Sequence, residues 1–89
     1  MSTKVFEVEA SQYISIQEFI IFVNTDFNFL DNVPRLIVLH LKEGTHCSGT
    51  LIGGRSWPRE NEETAWVLVV KSNELQNPED ATIVKIEIP

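Results

Sequence analysis

Cysteine, methionine and tyrosine each occur once in the 89 residues, and glycine and proline four times each. These scarcities exclude a good deal. A lone thiol, Cys47, can form neither an intrachain disulfide nor the usual multi-cysteine zinc site, and such cysteine usage fits a reducing cytosol. With so little glycine and proline there is no linker, no repeat and no low-complexity tract, so a single domain over residues 1–89 is expected. Apolar runs such as Phe19–Val23 fall far short of the roughly 20 residues that span a bilayer. Met1–Glu7 has no apolar core of a signal peptide. Basic residues are also in deficit, seven against thirteen acids, for a net charge of −6. Phosphate backbones and anionic membrane surfaces repel such a chain, so neither non-specific nucleic-acid binding nor membrane binding is expected, while a basic protein surface suits it. A soluble, cytoplasmic protein is the expectation.

What the sequence has is apolar patterning, with 43% hydrophobic residues. Lys4–Ala10 alternates with a period of two and predicts a strand. Ser15-Ile16-Gln17-Glu18 has the spacing of a capping box. Ile16, Phe19, Ile20, Val23 and Phe27 follow at helical intervals, predicting a helix over roughly Ser15–Thr25. The β-forming run Ile20–Val23 keeps an extended alternative open. Asn24–Asn32 is loop-like, and its Phe27, Phe29 and Leu30 need burial, as a lid on the core or as a partner contact.

Arg35–Lys42 is apolar on both faces, the mark of a strand covered on both sides. Glu43-Gly44 predicts a tight turn and Thr45–Ile52 a returning strand; a two-residue turn would set His40 opposite Cys47. Gly53-Gly54 should end that strand and open an irregular stretch to Glu63. Ala65–Lys71 is again apolar on both faces, with Trp66 read as packing. Thr82–Ile88 alternates cleanly. The predicted fold is α+β in the order β-α-β-β-β-β, one helix packed on a mainly antiparallel sheet of about five strands. A small β-barrel made from the last four strands is the alternative.

Within this frame the Gly53–Glu63 segment stands out. Trp57 lies between Arg55 and Arg59, residue types enriched at binding hot spots, and Glu60, Glu62 and Glu63 follow. Trp57 would anchor a partner, the two arginines would make directional pairs, and the three acids would steer a basic surface. Equally, the tryptophan folds back on the core and the arginines pair with these acids.

Chemistry-bearing motifs are lacking. His40, His46 and Cys47 are too few for a metal site, and no orienting group or oxyanion hole marks a nucleophile. No catalytic residue, metal or cofactor is assigned, and an enzyme is not expected. The profile resembles in type that of phage-encoded anti-defence inhibitors and bacterial immunity proteins, without a shared motif. The expected function is a non-enzymatic binding protein that blocks or sequesters a macromolecular partner. A nucleotide-signal sponge is the alternative, with Trp57 or Tyr13 stacking on a base and Arg55 or Arg59 holding phosphate. A small enzyme using His40 trails. So small a domain also gains core by self-association, which leaves room for a homo-oligomer.

Overall fold

The computed structural model describes residues 3–15, 17–58, 64–75 and 77–89, with the backbone alone at 32, 57, 58 and 80. Seven strands, β1 (Lys4–Glu7), β2 (Ala10–Ser15), β3 (Glu18–Asn24), β4 (Arg35–Leu41), β5 (His46–Pro58), β6 (Thr64–Lys71) and β7 (Ile83–Ile88), form one antiparallel sheet. Its order is β1-β7-β4-β5-β6-β3-β2. β1 and β2 follow one another in the chain yet occupy opposite ends of that order. The Val8 N–H donates to the Val84 carbonyl at 2.9 Å and the Glu9 N–H to the Phe22 carbonyl at 2.7 Å. The corner between β1 and β2 therefore ties both outer strands together, and the sheet curls into a half-barrel.

This overturns the α+β expectation. No α-helix is present among the described residues, and neither a helix on five strands nor a barrel of the last four accounts for the fold. The segment expected to be helical is the β2–β3 hairpin. Ser15 and Glu18 are register partners, with the Ser15 hydroxyl 3.4 Å from the Glu18 carboxylate, and Gln17 sits at a φ of +69° in the turn. The Ser-x-x-Glu spacing of a capping box is equally the span of a two-residue hairpin loop. Beyond it Phe19, Ile21 and Val23 are buried in alternation, so β-branched preference and cross-strand pairing prevail over the helical spacing.

Two further expectations shift. Gly53-Gly54 does not end β5, which continues in register with β6 to Pro58 opposite Thr64. The β4–β5 turn holds three residues, not two. The Leu41 N–H bonds to the Thr45 carbonyl at 2.9 Å and Gly44 takes a φ of +94°, the three-residue loop in which a left-handed glycine forms a bulge. One extra residue slides the register, so His40 faces His46, and Cys47 faces Leu39.

The inner face of the half-barrel is the core, centred on Phe19, Ile21, Leu39, Leu51, Leu68 and Ile86, all fully buried. An aromatic group adjoins it. Phe29 starts a short 3-10 turn (Phe29–Asn32), held by the Asn28 side chain accepting from the Leu30 N–H at 3.0 Å. Its buried ring meets Phe27, Phe6 and Trp66 at 4.9, 5.0 and 5.3 Å between centroids. Two of the loop aromatics thus pack as a lid, while Leu30 stays exposed.

Because the described residues supply one layer only, the second face of the two-faced apolar strands has no cover among them. On β3 and β6 the outward residues Ile20, Phe22, Val67 and Val69 keep part of their surface in contact with solvent. On β4 and β5, Leu36 and Ile52 are 64% and 42% exposed.

Candidate functional site

The margin of β5 is where the fold leaves backbone chemistry open. β4 pairs with β5 only as far as Arg35 opposite Leu51; from Gly53 to Pro58, β6 is the only described strand that pairs with β5. A bulge at Ile52, between the Leu51 and Gly53 pairings, sets the parity beyond it. The Thr25 N–H bonds to the Thr64 carbonyl and the Ser72 N–H to the Gln17 carbonyl. Hydrogen bonding alternates along an antiparallel ladder, so the even-numbered residues of β6 bond to β3, and Ala65, Val67 and Val69 bond to β5. Their partners Trp57, Arg55 and Gly53 accordingly turn their main-chain groups toward β6. Gly54, Ser56 and Pro58 turn theirs to the side that β4 does not reach. Pro58 has no N–H and shortens the open edge, and the Phe29–Asn32 turn flanks β5. Gly54 and Ser56 remain with main-chain groups that no described residue bonds.

Of the residues singled out in the sequence, Arg55 and Trp57 thus take register positions on one strand, opposite Val67 and Ala65, the Trp57 side chain lying outside what is described. Arg55 is exposed and makes no hydrogen bond or ion pair with a described residue. Arg59, Glu60, Glu62 and Glu63 lie outside the described residues. Trp66 is buried in the core, and its indole nitrogen has no hydrogen-bond partner among the described residues.

His40 and Cys47 do not come together. His40 points outward, its Nε2 2.7 Å from the Glu87 carboxylate and its ring centroid 5.8 Å from that of His46. Such a partly exposed pair contributes about 1 kcal/mol at most. Cys47 points to the other face, at a cleft of about 500 Å³ lined by Leu41, Glu43, His46, Glu74 and Leu75 among others. Beside it lies a polar knot absent from the sequence reading. The buried Ser72 hydroxyl donates to the Ser48 carbonyl at 2.8 Å, accepts from the Glu74 N–H at 3.3 Å and lies 3.7 Å from the thiol. The Glu74 carboxylate accepts from the Ser48 N–H. No local pattern marks Ser72 as buried, because its place depends on β5 crossing it.

Burial pushes the Cys47 thiol above its ordinary pKa; the Ser72 hydroxyl offsets part of this, and the Glu74 carboxylate adds to the rise. A thiol so placed keeps its proton and is a poor nucleophile at neutral pH. Iodoacetamide at pH 8 is expected to alkylate Cys47 more slowly than free cysteine, with the rate still climbing above about pH 9, where a free thiol levels off. The folded chain holds this proton more tightly than the unfolded one. The stability it contributes is complete below about pH 8.5 and is lost as the pH rises toward the raised value. Alkylation as fast as that of the free amino acid would show the thiol unperturbed.

No group of three or more ligating side chains able to hold a metal occurs among the described residues, and no described helix is long and apolar enough to cross a membrane. Comparison with protein-family models, curated proteins and solved structures finds no match for the chain.

Proposed function

We propose that the chain is a non-enzymatic binding protein that engages a macromolecular partner along the free margin of β5, with Arg55 and Trp57 in the contact. The observation that carries this reading is the stretch Gly53–Pro58, held on one side only and bearing an exposed guanidinium with no described carboxylate against it. Unbonded N–H and C=O groups at Gly54 and Ser56 suit an extended segment of another protein, which pairs main chain to main chain. Arg55 adds a directional bond to an acidic side chain in that segment. Arg59, Glu60, Glu62 and Glu63 continue the same proposal through their charges, steering the approach. The separation of His40 from Cys47, together with the tightly held thiol proton, speaks against nucleophilic chemistry.

The test separates edge from side chain. Ser56→Pro removes an edge N–H that β6 does not use, and Arg55→Glu reverses the charge. Each should weaken capture of the partner by about tenfold or more, as for loss of about 1.4 kcal/mol, with the melting temperature nearly unchanged. Titration with nucleotides should give no saturable heat. Saturable nucleotide binding that depends on Arg55, with no protein captured, would replace this reading by the small-molecule one.

A further inference from the structure

The outer face of β3 and β6 carries a pattern that is its own complement. Registered across the two strands are Glu18 with Lys71, Ile20 with Val69, Phe22 with Val67 and Asn24 with Ala65. The middle two rows make an apolar block that is partly exposed and covered by no described element. The first row sets an acid beside a base. Neither is committed elsewhere among the described residues, since Glu18 makes only a 3.4 Å contact with the Ser15 hydroxyl and neither joins a described ion pair.

We infer that this face is the contact between two copies of the chain. A two-fold axis parallel to the strands, lying between β3 and β6, sets β3 of one copy over β6 of the other. Glu18 then lies on the partner copy's lysine at position 71 and Lys71 on its glutamate at position 18, so every charge contact is made twice. Between them Ile20 meets the residue at 69 and Phe22 the residue at 67, giving an apolar centre with a charged rim. Strands related in this way pack nearly aligned, the common geometry for stacked sheets. Charge favours this face over others. The whole chain carries −6 and two copies repel on average, but here an acid and a base balance. A foreign partner would also cover the apolar block, yet only a second copy answers both charges with the same two residues. Dimerisation here leaves the main-chain groups of Gly54 and Ser56 open on both copies, while Arg55, opposite Val67 on the same face, flanks the contact.

Sedimentation of the wild-type chain over a concentration series should show a reversible monomer–dimer equilibrium. Glu18→Lys and Lys71→Glu each turn two attractions into two repulsions, and each variant alone should dimerise at least about tenfold more weakly. Mixed together they should form a one-to-one heterodimer, because the lysine pair of one meets the glutamate pair of the other. That rescue also shows that both variants are folded. A wild-type chain that stays monomeric to about 1 mM, where association would be worth less than about 4 kcal/mol, overturns the inference. So does a mixture that fails to associate, or a dimer that survives Phe22→Asp.

Discussion

Phe29→Ala should cost about 3–5 kcal/mol, the range for deleting a buried aromatic side chain. In a domain of this length that is a large share of a total stability of roughly 4–13 kcal/mol. Phe29 has no exposed surface, and its ring lies within 5.3 Å, centroid to centroid, of Phe6, Phe27 and Trp66. Those three rings come from β1, the loop after β3 and the start of β6, so alanine loosens contacts among segments distant in sequence. The hole cannot close cheaply, because each neighbour is fixed by its own strand or turn. At roughly 4–8 °C per kcal/mol the melting midpoint should fall by about 12 °C or more. Leu30→Ala, at the adjacent and 47% exposed position, should cost less than about 1 kcal/mol. Equal losses at the two positions would mean that Phe29 does not pack as the lid.

This asymmetry also shows what the sequence could reveal. Phe27, Phe29 and Leu30 lie in one loop and all three are apolar, so the need for burial was legible, but which of them is buried was not. The choice depends on Phe6 and Trp66, which no local pattern links to the loop. The strands at Arg35–Leu41, Thr64–Lys71 and Ile83–Ile88 were readable from alternation or from continuous β-branched runs. The stretch from Ser15 to Asn24 was not, because Phe19–Val23 is apolar at every position and fits a period of two as well as one of 3.6. Its neighbour Ser15-Ile16-Gln17-Glu18 serves a hairpin turn and a helix cap with the same spacing.

The misreading of that segment carried over to the functional surface. Two-faced apolar strands implied a cover on each side, and the expected helix would have been one of them. With that segment folded as β3, itself apolar on both faces, the outer face of the sheet is left without a cover among the described residues. Ile20, Phe22, Val67 and Val69 could have been flagged from their residue types, but only the absence of the helix makes them a surface. At the candidate site, Arg55 and Trp57 stood out by type. Their placement on a strand did not, because Gly53-Gly54 followed by polar residues looks like a loop until Val67 and Ala65 are found opposite.

The two glycines at 53 and 54 test that placement, and their responses should be opposite. An alanine Cβ at Gly54 would come 2.7 Å from the Val67 carbonyl oxygen, 2.8 Å from Leu68 Cδ2 and 3.2 Å from Leu68 Cα. Two of those three atoms belong to the main chain of β6 and cannot move without disturbing the ladder, so Gly54→Ala should destabilise by about 1–3 kcal/mol, as overpacking does. Gly54→Val adds two methyl groups in the same place and should cost more. At Gly53 the corresponding Cβ meets nothing within 4 Å. The position faces outward opposite Val69, and its φ is not in the left-handed range. Gly53→Ala therefore only restricts the unfolded chain and should be neutral or stabilising by up to about 1 kcal/mol. Denaturant midpoints of the two variants, at unchanged slope, should move in opposite directions or differ by at least about 1 kcal/mol. In an irregular loop neither glycine would face a packed neighbour, and both substitutions would be mild. Comparable, small effects at 53 and 54 would therefore remove the strand beyond the bulge, and with it the open edge at Gly54 and Ser56.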